Sequence, residues 1–173
     1  MFQIGDIVVY SNHGVCKVID IGPLAMNVAD KERQYYTLAP LYQTESIIYA
    51  PVDNPKQVMR DVISRKQADA LIQQIDGMEA DWITNEKERE RKYKETLKSC
   101  DCLKLAKMIK TLHIRHDKRA KLGKRMTVVD ERYFKRAEEQ LYEELAFVLQ
   151  IELKNVDSYI RKEIEERHIQ ELS

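Results

Sequence analysis

Phe2-Gln-Ile-Gly-Asp-Ile-Val-Val-Tyr-Ser-Asn-His-Gly-Val-Cys-Lys-Val18 is the stretch whose reading decides the fold. β-Branched residues cluster on either side of a polar corner, Ser11-Asn12-His13-Gly14, which predicts strands over Ile7 to Tyr10 and Val15 to Ile19. Gly5 and Gly14 stand where the backbone must turn, since glycine takes positive φ without a Cβ penalty. Outward from this hairpin, Val18 to Ile21 runs into a Gly22-Pro23 turn, and the polar stretch Asn27 to Gln34 reads as a loop. Tyr35 to Leu38 is a strand stopped by Pro40, and Ser46 to Pro51 is another, closed by the turn residues Val52 to Pro55. Four or five short strands within about 55 residues predict a small open β-barrel of the SH3 or Tudor kind, more often a binding module than an active site.

The rest of the chain is rich in Lys, Glu, Arg, Leu, Ala and Gln, the straight-chain helix formers. Ser64 with Gln67 fits a capping box, Ala68, Leu71, Ile72 and Ile75 share one face, and Gly77 is placed for a left-handed C-cap. A second helix is expected from a cap at Thr84, with Tyr93 and Leu97 on its apolar side. A third spans Asp101 to His113 on the stripe Leu105, Met108, Ile109 and Leu112, before a polar stretch around Gly123. The longest runs from Thr127 or Asp130 to Ile151 with Phe134, Leu141, Leu145, Val148 and Leu149. Asn155 caps a last helix carrying Val156, Tyr159, Ile160 and Ile164. The predicted class is α+β: a small N-terminal barrel over residues 1–56, then an all-α domain of about five helices over 60–173.

Of 173 residues, 29 are Lys or Arg and 29 are Asp or Glu, so the net charge is +0. That balance hides a gradient. Lys104 to Arg125 holds nine Lys or Arg against one acid, Asp117, whereas Glu138 to Ser173 holds ten acids against four bases. An ordinary solvated helix face mixes signs to limit repulsion; a face this one-sided is expected to attract phosphates. The absence of any uncharged apolar run of roughly 18 residues excludes a membrane-spanning helix. Met1 leads directly into strand-like sequence with no signal-peptide pattern, so the expectation is a cytoplasmic protein whose three cysteines stay reduced.

Cys100, Cys102, His113 and His116 invite a zinc reading, but tetrahedral sites space their cysteines by two to four residues on a turn, and here all four fall on or beside a helix. No metal, cofactor or catalytic group is expected; Cys102 should pack, and the histidines should extend the basic face when protonated. A Cys-His hydrolase is the less favoured class, because no anion-binding loop or third orienting group accompanies the pair. His13 in its turn reads as structural or as a partner contact. Trp82, the only tryptophan, has two readings: a packed residue anchoring a helix start, or an exposed apolar wedge against nucleic-acid bases.

Taken together, the residues resemble the CarD-like bacterial transcription regulators, whose N-terminal domain is related to the RNA polymerase-interacting domain of transcription-repair coupling factors. The resemblance lies in Phe2-x-x-Gly5-Asp6-x-Val8-Val9-Tyr10-x-x-His13-Gly14, Tyr36-x-Leu38, Tyr49-x-Pro51-Val52-Asp53-Asn54, Arg60-Asp61-Val62, Trp82 and Arg91-Lys92-Tyr93-Lys94. It implies a non-enzymatic regulator, acting as a monomer, whose barrel docks on the polymerase β subunit through Tyr49 and Pro51. It further implies a helical domain on promoter DNA at the upstream edge of the melted region, with Trp82 as wedge and Arg91, Lys94, Lys124 and Arg125 as phosphate contacts. The alternative is an adaptor that binds polymerase without touching DNA.

Overall fold

Gly14 takes φ +69° and so closes the corner between two antiparallel strands, β1 (Ile7–Tyr10) and β2 (Val15–Pro23). The computed structural model describes residues 1–25, 32–43, 46–54 and 56–173; most of the loop expected over Asn27 to Gln34 lies outside the described residues, as does Pro55. The two segments predicted after the corner are one strand, bulged where its register with β3 (Gln34–Pro40) shifts between Val18 and Asp20. Alternation from Val18 puts Ile19 outward, 41% exposed, and the bulge brings Ile21 back against the core side. Two further antiparallel strands, β4 (Ile48–Pro51) and β5 (Met59–Asp61), complete a sheet in the order β4-β3-β2-β1-β5. The segment Met59-Arg60-Asp61 has little β propensity and was not expected as a strand; pairing of Val9 with Arg60 along β1 draws it in. Among the described residues β4 and β5 remain edges, so the sheet stays open. One face buries Val8, Tyr10, Cys16, Val18, Tyr36, Leu38 and Ala50.

Met1–Val62 and Ile63–Ser173 form two compact units. The second is helical: α1 (Arg65–Ile75), α2 (Glu86–Ser99), α3 (Cys102–Lys121), α4 (Val128–Leu149) and α5 (Val156–Glu171). The protein is therefore α+β, as expected. The Ser64–Gln67 capping box forms, with the Ser64 hydroxyl accepting from the Gln67 amide at 3.1 Å and the Gln67 side chain accepting from the Ser64 amide at 2.8 Å.

Four helix ends differ from expectation; at the start of α5, Asn155 holds the cap position in right-handed conformation and its side chain makes no capping hydrogen bond. Gly77 is not left-handed: α1 ends in Asp76 with right-handed φ and ψ, because Lys110 of α3 donates to the Ile75 carbonyl at 2.8 Å and to the Asp76 carbonyl. A cation from another helix satisfies the terminal carbonyls that a glycine cap would have served. The cap of α2 is Asn85 rather than Thr84, its side chain accepting from the Glu88 amide. Most consequential, α3 runs to Lys121 and not His113. Its apolar stripe stops near Leu112, but Arg, Lys and Ala are good helix formers and cations in the last turn suit the negative end of the helix dipole.

Helix α4 packs against the other four helices. Its buried face is accordingly wider than a single apolar stripe, taking in Tyr133, Ala137, Gln140, Glu143 and Glu144 besides Leu141, Leu145 and Leu149, while Phe134 and Val148 are only half-buried. The buried polar groups are satisfied: Glu144 accepts from the Ile63 amide at 2.8 Å and from the Cys102 thiol at 3.0 Å, and Gln140 donates to the Leu97 carbonyl at 3.1 Å. Among the described residues, no helix is long and apolar enough to cross a membrane.

Candidate nucleic-acid interface

Residues 78–84, between α1 and α2, have no regular structure, yet the segment is tied down along its length. Thr111 of α3 accepts a hydrogen bond from the Asp81 amide at 3.0 Å. Arg89 of α2 donates to the carbonyls of Ile83 and Thr84, both at 3.4 Å. Between these tethers the Trp82 ring lies on α3, its centroid 4.4 Å from the Lys118 ammonium and 5.4 Å from the Arg115 guanidinium, which are cation–π distances. Trp82 is 43% exposed, so it belongs to a surface and not to a core.

Beneath it lies Asp130, fully buried at the start of α4. Its carboxylate accepts from Arg89 at 3.1 Å, Arg115 at 2.8 Å and Tyr93 at 3.0 Å, and its amide donates to the capping hydroxyl of Thr127 at 3.1 Å. Burial alone would push this carboxyl up; the donated bonds from Arg115, Tyr93 and Arg89 outweigh it and hold the group below the usual carboxylate range. The Tyr93 hydroxyl is pushed well up, by burial first and by the neighbouring Asp130 charge second.

Lys118, Lys121, Lys124 and Arg125 are exposed, and none has an ion-pairing carboxylate among the described residues. The turn bearing the last two is fixed: Gly123 takes φ +71°, the Lys124 amide donates to the Arg119 carbonyl at 2.9 Å, and Arg119 donates to the Arg125 carbonyl at 2.7 Å. Beside Asp81 and Ile83, a cleft of about 180 Å³ between α2 and α3 carries Lys92, Lys104 and Lys107 on its walls. Arg91 and Lys94 stand differently. Both are exposed on α2, but Arg91 pairs with Glu95 at 3.0 Å and Lys94 with Glu90 at 3.3 Å. Glu90 also accepts from Tyr133 at 3.0 Å, and these two hydrogen-bonding partners hold its carboxyl below the ordinary range. Of the five residues expected to meet DNA, Trp82, Lys124 and Arg125 thus sit on or just beyond the end of α3, where exposed cations have no carboxylate partner among the described residues, and Arg91 and Lys94 in intrahelical pairs.

The residues with zinc-like spacing are dispersed in role. Cys100 and Cys102 are buried at the α2–α3 junction, where Gln140 donates to the Cys100 sulfur and Cys102 donates to Glu144. His113 does not extend the basic face: it meets Phe134 edge-on with ring centroids 4.9 Å apart, and burial pushes its pKa down. No group of metal-ligating side chains exists among the described residues. In the sheet unit His13 stacks on Tyr10, with centroids 5.6 Å apart.

Edge strand β4 places the other two expected contacts. Side chains alternate along a strand, so Ile48 and Ala50 face the core while Tyr49 and Pro51 share the outer face. Tyr49 is 45% exposed and the adjoining Ile47 49%, a combination of open edge and apolar surface suited to a protein partner.

Sequence reasoning placed Lys118 and Arg115 in the basic run without singling them out, and it missed Asp130 and Arg89 as a buried pair. A capping pattern, Thr127-x-x-Asp130, was the signal available, and it marks a helix start rather than an ionic hub.

Fold and surfaces together define a two-unit binding protein: a small open sheet with an apolar edge, and a helical unit presenting a tethered tryptophan on a cationic helix. The CarD-like/TRCF RID domain matches residues 2–63 and the CarD C-terminal domain matches residues 70–161. The chain belongs to the CarD-like family, non-enzymatic transcription regulators that interact with RNA polymerase.

Proposed function

We propose that the sheet unit docks on the polymerase β subunit through Tyr49 and Pro51, and that the helical unit grips promoter DNA at the upstream edge of the melted region, where Trp82 wedges against the bases. The regulator works as a monomer in the bacterial cytoplasm. Lys124 and Arg125 hold phosphates, and Arg91 and Lys94 join them by exchanging their carboxylate partners for the backbone. The observation that carries the reading is Trp82, half-exposed against a helix whose outer cations have no carboxylate partner among the described residues. Large apolar side chains flanked by cations are how proteins wedge open a base step. Mechanistically, contacts made only with melted DNA shift the closed-to-open equilibrium, and a differential affinity of about 1.4 kcal/mol shifts it tenfold.

Binding of the full chain to a partly melted promoter duplex, titrated over a range of salt, tests this. Affinity should fall steeply with salt, and Trp82→Ala should weaken binding by about 1–3 kcal/mol, the range for losing an aromatic–base contact. The adaptor reading draws on the paired state of Arg91 and Lys94. It predicts no saturable binding to the duplex at any salt, and polymerase binding that Trp82→Ala leaves unchanged.

A further inference from the structure

Two of the tethers of the Trp82 segment, through Arg89 and Arg115, lead back to one buried carboxylate. Asp130 is bonded to Arg89 and Arg115; Arg89 in turn holds the carbonyls of Ile83 and Thr84, and Arg115 lies against the indole. On α3, Thr111, Arg115 and Lys118 are spaced i, i+4, i+7 and therefore form one stripe, which holds the Asp81 amide at one end and the Trp82 ring along the rest. A segment without regular structure would otherwise sample many conformations. Two arginines converging on one carboxylate have their directions fixed, since a planar guanidinium bonded through its edge cannot swing freely.

We infer that Asp130 is the positioning residue of the helical interface, holding Trp82 ready through Arg89 and Arg115 against a mount made by Thr111, Arg115 and Lys118. The inference rests on the reading of Trp82 as a nucleic-acid contact. A ring ordered before binding meets its partner without an ordering cost at that moment, so affinity follows the order of the ring. Asp130 touches no partner itself; it acts only through the groups it fixes.

Trp82 is the sole tryptophan, so indole fluorescence of the full chain reports this site alone. Anisotropy decay is compared for the wild type, Arg115→Met and Thr111→Val. The first keeps a long packing side chain and removes the guanidinium; the second keeps shape and charge and removes the acceptor of the Asp81 amide. With circular dichroism unchanged, each variant should show a new fast decay component, the ratio of held to free ring falling roughly two- to fivefold as expected for one lost cation–π contact or tether. Affinity for a partly melted duplex should fall in parallel, in Thr111→Val without any change of charge. A decay identical to the wild type in folded Arg115→Met overturns the role of Asp130, and identical decays in both folded variants overturn the mount as well, even where Trp82→Ala weakens DNA binding. If Trp82→Ala binds as the wild type does, the DNA reading of Trp82 fails, and with it the role assigned to the mount.

Discussion

At the scale of the residue, Asp130 shows what a fully buried charge demands. Three donors surround it, and removing the charge leaves two arginines without their shared anion. Asp130→Asn should cost about 3 kcal/mol or more in urea unfolding, the range for breaking one side of a buried pair. Its pH dependence has a fixed sign. The folded carboxyl titrates below the unfolded value of about 4, so its contribution is complete above that value and is lost as pH falls through the folded-state pKa. The urea midpoint of the wild type should therefore drop on acidification below about pH 4, and Asp130→Asn should be flatter across the same window. None of this was legible beforehand. The amino-acid sequence puts Arg89 in the second expected helix, Tyr93 on that helix's apolar side, Arg115 beyond the expected end of the third and Asp130 near the start of the longest, and only the packing of α2, α3 and α4 brings them to one point.

Among elements, α3 carries most of the account. Its apolar stripe was legible because burial recurs at three and four residues, and its basic run because charge is visible in composition; its length was not. The helix outlasts its apolar face by two turns, and that extra length, from Ile114 to Lys121, is what carries Arg115 and Lys118 to Trp82. The same reasoning that found strands β1 to β4 from β-branched clusters could not find β5, which exists through its pairing with β1. Beyond α3, Lys124 and Arg125 sit in a turn that other residues hold, so their side chains are removable without loss of structure. Lys124→Ala and Arg125→Ala should each weaken DNA binding about equally for all sequences and lower the slope of log affinity against log salt by about 0.9, measured by fluorescence titration. Arg91→Ala should lower it less, because freeing Arg91 first breaks its pair with Glu95.

For the molecule as a whole, the proposed division of labour rests on two surfaces of different chemistry, an apolar sheet edge and a cationic helix with a tryptophan on it. The class and the polymerase-interacting family were legible because Gly14, the β-branched clusters and the Phe2 to Val18 motif are local features. Which side chains within those surfaces matter depends on exposure and partners, which only the folded chain supplies. The proposal is that the sheet unit joins this protein to polymerase and that Tyr49, exposed on edge strand β4, is an aromatic point of contact. The direct test is calorimetric titration of the full chain into the polymerase β subunit, with Tyr49→Ala alongside. Saturable one-to-one binding is expected, weakened about tenfold or more by the substitution without a change of fold, as for an aromatic hot spot. A folded wild type that gives no saturable binding, or a variant that binds equally well, would contradict it.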